Sequence, residues 1–197
     1  MPFAYAVALT GSIATGKSTA VKMLETLGLS VIDADTIAHQ ILNEQHIEIA
    51  RLFGKEIVQE QGVDRKALGA IVFADSKKRK VLEDLLHPLI YTHIETLARV
   101  LDKKKEPYLV DIPLFFENNR YPIKKSLVVY TPLSLQLMRL MERDSSSEVD
   151  AQRRIDTQIS IEEKRQKADY VIDNSGTLAQ LERECKRVHK EIEKDFT

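Results

Sequence analysis

The chain has 197 residues, 43% of them hydrophobic and 30% charged, and its 29 basic and 30 acidic side chains give a formal net charge of −1. These values are typical of one globular domain and exclude a disordered chain, and the balanced charge argues against a general nucleic-acid binder. The single cysteine, Cys185, excludes a disulfide framework and a multi-cysteine zinc site.

The first predicted element is a short apolar strand over Ala4–Leu9. The apolar run that contains it, Phe3–Leu9, is far shorter than the ~20 residues that a membrane-spanning helix needs. No lysine or arginine precedes this run, and Thr10 and Gly11 follow it directly, so a signal peptide is not favoured. We therefore expect no membrane contact and a cytoplasmic location.

A phosphate-binding motif follows the strand. The residues from Gly11 to Ser18 match G-x-x-x-x-G-K-[ST], and a helix is predicted directly after them, over Thr19–Leu27. In this arrangement backbone N–H groups surround a polyphosphate at the positive helix end, Lys17 reaches the β- and γ-phosphates, and Ser18 holds Mg²⁺. The predicted ATP-binding residues here are Gly11, Ser12, Ile13, Ala14, Thr15, Gly16, Lys17, Ser18 and Thr19.

The motif predicts nucleotide binding but does not identify the reaction. A GTPase also carries a guanine-reading N-K-x-D sequence, which this chain lacks, and the chain is short for a motor or transporter ATPase. A small-molecule kinase fits better. Such an enzyme needs an acceptor site, a base and cations that surround the transferred phosphoryl group.

Two carboxylates, Asp33 and Asp35, follow the second predicted strand, Ser30–Ile32. At the carboxyl end of a parallel strand, either one can act as a base for an attacking hydroxyl or bind Mg²⁺ through water. One of them can instead cap the helix that begins near Thr36, because aspartate is a favoured N-cap residue. The residues alone leave these roles open.

The connection from Thr36 to Glu106 is far longer than the dozen or so residues that a simple crossover needs. It contains helical patterns, including an apolar helix that ends at His87 before Pro88. We therefore predict a helical insertion beside the carboxyl ends of the strands, where open α/β sheets bind ligands.

The remaining strands are predicted over Tyr108–Ile112, Leu127–Tyr130 and Tyr170–Ile172, and a final helix over Thr177–Ile192. Strands that alternate with helices predict a three-layer α/β/α fold with a five-stranded parallel sheet. Asp111 is either an acid of a nucleotide site or an ordinary strand-end residue. The turn Asn174–Gly176 after the last strand is a candidate for contacts with adenine.

The segment 134–167 carries positive and negative side chains in similar numbers, which is typical of solvated helices. Arg139 and Arg143 differ from the others, because residues four apart share a helix face. Two cations on one face suit a polyphosphate, where an arginine stabilises charge on the transferred group. Arg154 and Lys164 are weaker candidates for this role.

Five stretches resemble the dephospho-CoA kinase family in the same order along the chain. They are Leu9-Thr-Gly-Ser-Ile-Ala-Thr-Gly-Lys-Ser18, Asp33-Ala-Asp-Thr-Ile-Ala-His39, Leu86-His-Pro-Leu-Ile90, Pro113-Leu-Phe-Phe-Glu117 and Ala168-Asp-Tyr-Val-Ile-Asp-Asn174. Gln136-Leu-Met-Arg139 and Arg143-Asp144 also fit the lid region of that family. The resemblance therefore covers nearly the whole chain.

The resemblance implies a reaction in which Mg·ATP phosphorylates the ribose 3′-hydroxyl of dephospho-CoA to give CoA and ADP, the last step of CoA synthesis. ATP and dephospho-CoA are then the small-molecule substrates, and Mg²⁺ is the cofactor. It also implies a P-loop kinase core over 1–35, 106–133 and 168–197, a helical CoA-binding insertion over 36–105, and a lid over 134–167.

Roles for single residues follow from the same resemblance. It favours Asp35 as the base, with Asp33 supporting it or the metal beside Ser18, and it favours Arg139 over Arg143 at the γ-phosphate. With Lys17, these are the expected catalytic residues. The residues expected to bind the acceptor are Thr10, Asp35, His87, Pro113 and Glu117.

Two alternatives stay open at this point, a kinase of the same fold acting on another acceptor such as a nucleoside monophosphate, and a non-catalytic ATP-binding regulator. The chain also departs from the family, whose loop usually reads closer to Gly-Gly-Ile-Gly-Ser-Gly-Lys. Ser12 and Ala14 stand here in place of two glycines. A positive φ at either position would cost energy that glycine avoids.

Overall fold

The computed structural model describes residues 2–60, 62–118 and 120–197, and its centre is a five-stranded sheet. In chain order the strands are β1 (Ala6–Gly11), β2 (Ser30–Asp33), β3 (Val58–Gln59), β4 (Gly62–Val63), β5 (Tyr108–Asp111), β6 (Lys125–Tyr130) and β7 (Tyr170–Asp173). The large sheet has the strand order β2-β5-β1-β6-β7, and the short strands β3 and β4 form a separate antiparallel pair that the sequence does not predict.

Helices account for most of the remaining chain. They are α1 (Lys17–Thr26), α2 (Ala34–Glu44), α3 (His46–Phe53), the 3₁₀ turn η1 (Lys55–Ile57), α4 (Arg65–Ala74), α5 (Ser76–Asp102), α6 (Phe115–Asn118), α7 (Leu133–Asp144), α8 (Glu148–Ile155), α9 (Ile161–Lys167) and α10 (Leu178–Asp195). The predicted alternation of strands and helices is therefore confirmed, and the segment 134–167, predicted to contain solvated helices, lies in α7, α8 and α9.

The central strand β1 is buried along its whole length, because both of its neighbours, β5 and β6, pair with it in parallel. A strand covered on both faces of a parallel sheet reads as a continuous apolar run, and this is the pattern of its sequence, AVALTG. The strand extends past the predicted end at Leu9 and includes Gly11, so the phosphate-binding motif begins inside the sheet.

One face of the sheet is covered by α1 and α10. The apolar stripe of α10 lies in the main core cluster, together with Leu24 of α1 and residues of the sheet; its members are Leu181, Cys185, Val188 and Ile192. A capping box between Thr177 and Gln180 begins this helix. Burial raises the pKa of the Cys185 thiol to about 11, as expected for a small hydrophobic residue in a core.

The described residues divide into two compact units. One unit contains the residues up to Ile32 together with Ala98–Thr197, and therefore nearly all of the sheet. The other unit, Asp33–Leu97, is mainly helical and has its own buried residues, which include Ile37, Ile49 and Leu68. It corresponds roughly to the segment 36–105 that was predicted as an insertion.

The helix α5 differs from its prediction. The sequence predicts that an apolar helix ends at His87, but one helix runs from Ser76 to Asp102 with Pro88 inside it. A proline removes one backbone hydrogen bond, and buried residues on both sides, Leu86 and Ile94, offset that cost. Among the described residues no helix, α5 included, is long and apolar enough to cross a membrane.

Candidate active site

The carboxyl ends of the central strands bring the phosphate loop, defined here as Gly11–Ser18, beside an acidic residue. Strand β1 pairs with β5 so that Leu9 lies opposite Asp111, and with β6 so that Gly11 lies opposite Val129. The loop leaves this edge after Gly11 and enters α1 at Lys17. The positive end of α1 therefore faces the same edge of the sheet as Asp111.

Gly16 is required by both the backbone and its surroundings. It precedes α1 in the left-handed conformation, with φ of 81°. A Cβ atom at this position would lie 2.2 Å from Nδ2 of Asn174, well inside van der Waals contact. Gly11 is similarly confined, since a Cβ there would lie 2.7 Å from Oγ1 of Thr15. Packing alone therefore disfavours a side chain at either glycine of the motif.

Ala14 carries the strain that the sequence predicts for the loop. It has a φ of 62°, in the left-handed region, whereas Ser12 does not adopt a positive φ. The half-buried side chain of Ala14 packs, together with Ile13, on an apolar cluster of α7 and α8 that is formed by Leu140, Ala151 and Ile155. Alanine in place of glycine at residue 14 therefore adds an apolar contact with α7 and α8, but the positive φ makes its backbone conformation less favourable.

Replacing Ala14 by glycine is expected to stabilise the protein by about 1 kcal/mol, because glycine adopts a positive φ without the penalty of a Cβ. The measurement is the urea midpoint of unfolding, compared with that of the wild type. The matched control is Ala179→Gly on the exposed surface of α10, where the same change should destabilise by up to about 1 kcal/mol. Equal destabilisation by both substitutions would contradict the assignment of strain to Ala14.

The carbonyl oxygen of Thr15, in the phosphate loop, accepts hydrogen bonds from two buried side chains. Asn174 donates from Nδ2 at 2.8 Å and Thr131 donates from Oγ1 at 3.1 Å. Arg139 of α7 joins this network, since its guanidinium donates to Oγ1 of Thr131 at 3.2 Å and to the carbonyl of Asn174 at 3.1 Å. Arg139 is thereby placed at the base of the loop, and the amide nitrogen of Asn174 braces the loop.

Lys17 extends from the first turn of α1 to the end of β5. Its ammonium lies 2.6 Å and 2.5 Å from the two carboxylate oxygens of Asp111, whose side chain is only 9% exposed. A charge-assisted contact of this kind fixes a flexible lysine side chain in one position. Asp111 is therefore part of the candidate site rather than an ordinary strand-end acid.

The carboxylates that the sequence pairs belong to the unit Asp33–Leu97 and have different surroundings. Asp33 is the N-cap of α2, because its oxygens accept hydrogen bonds from the backbone N–H and the hydroxyl of Thr36, both at 2.9 Å. Asp35, in the first turn, is exposed, and its carboxylate makes no hydrogen bond or ion pair with the described residues. The capping role open to either residue thus falls to Asp33. His87 is half-buried in α5 and interacts within the protein.

A second polar cluster lies where β1, the β5–α6 connection and α9 meet. Thr10 donates from Oγ1 to the carbonyl of Pro113 at 2.8 Å. Lys164 has a fully buried side chain, and its ammonium lies 2.8 Å from Oε1 of Glu117 and 3.0 Å from the carbonyl of Gly11. Oε2 of Glu117 is buried without a hydrogen-bond partner among the described residues. Three residues predicted to bind the acceptor therefore adjoin the start of the phosphate loop.

The sequence comparisons with known proteins identify the family of this chain. A family model described as dephospho-CoA kinase matches residues 5–180. The chain is 46% identical over 196 residues to a dephospho-CoA kinase of Sulfurimonas denitrificans, covering 100% of this chain and 98% of that protein. It is also 46% identical over 190 residues to one of Helicobacter pylori strain J99, covering 95% and 97% respectively. The chain belongs to the dephospho-CoA kinase family.

Solved structures agree with this assignment. The structure of dephospho-CoA kinase from Campylobacter jejuni is 40% identical, has a TM-score of 0.72, and covers 96% of this chain and 98% of that one. The crystal structure of TT1252 from Thermus thermophilus is 34% identical, has a TM-score of 0.78, and covers 94% of this chain and 96% of that one. They confirm the predicted α/β fold of a dephospho-CoA kinase.

In this member of the dephospho-CoA kinase family, the second arginine of α7 is bound to a neighbouring acid. Arg143 donates from Nε and Nη2 to the two oxygens of Asp144, at 2.7 Å and 3.1 Å, and Arg154 of α8 also contacts Asp144. These two guanidinium groups lower the pKa of Asp144 from its ordinary 3.8 to about 2. Asp144 therefore links the end of α7 to α8.

This lowered pKa predicts a pH dependence of stability. Because the folded pKa of Asp144 lies below the unfolded value, its contribution is present above about pH 4 and is lost as the pH falls towards 2. The stability difference between wild type and Asp144→Asn should therefore be largest at pH 5 and shrink by pH 2.5. Urea unfolding at the two pH values measures this difference. An equal difference at both values would show that Asp144 does not form these contacts in solution.

Sequence reasoning missed several residues of the candidate site. Within the sheet unit Lys17 contacts Asp111, and Arg139 contacts Thr131 and Asn174. Gln158 and Thr131 were not predicted, and Lys164 was only a weak candidate. Gln158 accepts a hydrogen bond at 3.1 Å from the backbone N–H of Ile13 in the phosphate loop. Thr131 could have been found from its position directly after a buried strand. No local pattern marks Gln158 or the burial of Lys164.

Proposed function

We propose that this protein transfers the γ-phosphoryl group of ATP to the ribose 3′-hydroxyl of dephospho-CoA, giving CoA and ADP. The observation that carries the proposal is an intact phosphate loop in a chain that matches the dephospho-CoA kinase family over residues 5–180. The N–H groups of the loop and the positive end of α1 suit a polyphosphate. The substrates ATP and dephospho-CoA fit the cytoplasmic location predicted from the sequence.

The cations of the sheet unit have distinct proposed roles. Lys17 exchanges its contact with Asp111 for the β- and γ-phosphate oxygens, where its charge stabilises the transferred group. Arg139 already lies at the base of the loop through Thr131, so a change of side-chain conformation brings its guanidinium to the phosphates. Arg143 must first leave Asp144, and we therefore assign it the smaller contribution.

Mg²⁺ is the proposed cofactor, and the oxygen atoms of the residues predicted to hold it are the type of ligand that it prefers. No cluster of three or more acidic, histidine or cysteine side chains within the described residues forms a metal site of its own. Mg²⁺ prefers oxygen ligands and commonly binds through one or two protein groups plus substrate phosphates. Ser18, exposed in the first turn of α1, is the proposed direct ligand, and Asp33 is proposed to act through water. When bound, Mg²⁺ neutralises charge on the phosphates.

Asp35 is the proposed general base. It accepts the proton of the 3′-hydroxyl while that oxygen forms a bond to the γ-phosphorus, and the bond from this phosphorus to the β–γ bridging oxygen breaks to release ADP. The proton then passes from Asp35 to solvent. Support comes from its exposed carboxylate, which has no partner among residues 2–60, 62–118 and 120–197, in contrast with the capping role of Asp33. We propose acceptor contacts for Thr10, His87, Pro113 and Glu117 as well.

The deciding experiment measures ADP release from Mg·ATP without an acceptor, with dephospho-CoA, and with adenosine monophosphate. Strong stimulation by dephospho-CoA alone, with product phosphorylated at the 3′ position, is the expected result. Stimulation by adenosine monophosphate alone would show that the acceptor is a nucleoside monophosphate and not dephospho-CoA. ATP binding without stimulation by either compound would instead favour a non-catalytic regulator.

A further inference from the structure

Lys164 of α9 is the most deeply buried charged side chain that the proposed reaction does not use. Its side chain is 0% exposed, and its ammonium has three acceptors within reach. Oε1 of Glu117 lies at 2.8 Å, the carbonyl of Gly11 at 3.0 Å and the carbonyl of Pro113 at 3.5 Å. An ammonium carries three N–H donors, so each of them has an acceptor.

These acceptors belong to different parts of the sheet unit. Gly11 begins the phosphate loop, and the carbonyl of Pro113 also accepts from Thr10, which directly precedes the loop. Glu117 accepts a second hydrogen bond at 3.2 Å from the backbone N–H of Ile159, just before α9. The ammonium therefore joins the entry to the phosphate loop, the connection after β5 and the start of α9.

The residues just before α9 also contact the phosphate loop, at a second point. Oε1 of Gln158 accepts from the N–H of Ile13, while Lys164 donates to the carbonyl of Gly11 two residues earlier. On one side of Ser12 a backbone carbonyl accepts a hydrogen bond, and on the other side a backbone N–H donates one. Together they restrain both the position and the orientation of the peptide groups of Ser12. Glu117 already balances the charge of Lys164, so burial of the ion pair alone does not require the hydrogen bond from Lys164 to the carbonyl of Gly11.

We infer that Lys164 is a positioning residue for phosphoryl transfer: its ammonium holds the carbonyls of Gly11 and Pro113 and so maintains the shape in which the phosphate loop binds ATP. The inference deepens the proposed kinase function and rests on it for its effect on turnover. Its effect on nucleotide affinity can be measured without any acceptor. It also makes α9 a fixed support of the loop within the segment 134–167, which was predicted to be the lid.

The test uses Lys164→Met combined with Glu117→Gln. This pair removes both charges together, so no unpaired charge stays buried, while methionine occupies the space of the lysine stem. The matched control is Lys167→Met with Glu163→Gln, an exposed pair on the same helix whose ammonium and carboxylate lie 2.6 Å apart. Melting temperature, the Kd for ADP by calorimetry, and kcat/KM for ATP are measured for both double variants and the wild type.

The expected result is a folded double variant whose ADP affinity is at least about tenfold weaker and whose kcat/KM for ATP is about 100-fold lower, since small displacements of a loop reduce turnover this much. The control pair should stay within threefold of wild type in both quantities. Wild-type ADP affinity in a folded double variant would overturn the inference. A wild type that does not phosphorylate dephospho-CoA would instead overturn the proposed function, and the ADP measurements would still decide the role of Lys164.

If the double variant fails to fold, Glu117→Gln and Lys164→Gln are compared as single variants. Glu117→Gln leaves Lys164 with its donors to the carbonyls of Gly11 and Pro113 but removes the opposite charge, whereas Lys164→Gln removes the ammonium itself. A Kd for ADP within threefold of wild type in Glu117→Gln, together with a Kd weakened tenfold or more in Lys164→Gln, supports the positioning role. A Kd weakened tenfold or more in Glu117→Gln at an unchanged melting temperature, or a wild-type Kd in folded Lys164→Gln, would overturn the inference.

Discussion

Replacing Lys17 by methionine is expected to reduce turnover of dephospho-CoA by about 10³-fold, equivalent to roughly 4 kcal/mol of lost transition-state stabilisation. The reason is electrostatic, because negative charge on the transferred phosphoryl group then lacks a cation that the protein holds in place. Asp111 fixes this cation at the end of β5, through contacts of 2.5 Å and 2.6 Å. The measurement is steady-state kcat and KM for ATP with dephospho-CoA in excess.

A matched substitution on the same helix separates this effect from a loss of folding. Lys22 is exposed on α1, so Lys22→Met should leave kcat within about twofold of the wild type. Lys17→Met also leaves the buried carboxylate of Asp111 without this cation, and its melting temperature must therefore be compared with that of the wild type. A folded Lys17→Met variant that retains a tenth or more of wild-type kcat would contradict the proposed role.

The second large effect is expected for Asp35→Asn, which should lower kcat by about 10²–10⁴-fold with little change in KM for ATP. An amide has the shape of the carboxylate but cannot accept the proton of the 3′-hydroxyl. Folding should be almost unaffected, because Asp35 is exposed and its carboxylate has no partner in the described chain.

Asp33→Asn is the natural comparison for this prediction. Asparagine caps helices as well as aspartate does, so the hydrogen bond from the backbone N–H of Thr36 is kept while the charge is removed. We expect a smaller loss of kcat than for Asp35→Asn, together with a higher Mg²⁺ requirement. A larger loss in Asp33→Asn than in Asp35→Asn would transfer the role of base to Asp33.

Much of the fold follows from local patterns in the sequence. Each of the five predicted strands corresponds to a strand of the sheet, because a buried parallel strand needs an uninterrupted apolar run and turn residues at its ends. The phosphate loop was equally predictable, since its residues are contiguous and each has a physical reason for its place. Comparing the loop with its glycine-rich relatives marked Ser12 and Ala14 as positions where a positive φ would cost energy, and Ala14 is the one that adopts it.

The support of the site could not be predicted in this way, since it depends on contacts between residues far apart in the chain. Lys164 is separated by 153 residues from Gly11, and Asn174 by 159 residues from Thr15. Nothing in the charge pattern around Lys164 distinguishes it from Lys167, which is exposed on the same helix. Burial, which alone separates the two lysines, is a property of the folded chain.

Local sequence preferences did not predict the roles of Asp33 and Asp35 or the course of the helix at Pro88. Both aspartates satisfy the preference for an N-cap, and the choice depends on where β2 ends and α2 begins, a boundary of one or two residues. Pro88 predicts a helix end locally, but α5 continues because residues on both sides of it are buried. Tertiary burial therefore overrides the local preference at Pro88, whereas the element boundary decides between the two aspartates.

The single thiol of this chain has a practical consequence. With a pKa of about 11 and its side chain buried between α1 and α10, Cys185 is present as thiolate at a fraction on the order of 10⁻⁴ at neutral pH. The unmodified protein should therefore resist maleimide reagents while it is folded. A fluorophore can be attached selectively to a cysteine introduced at Ser145, the exposed residue that ends α7, without removing the native thiol. The label then tests optically whether nucleotide binding moves the arginine-bearing helices in an otherwise native chain.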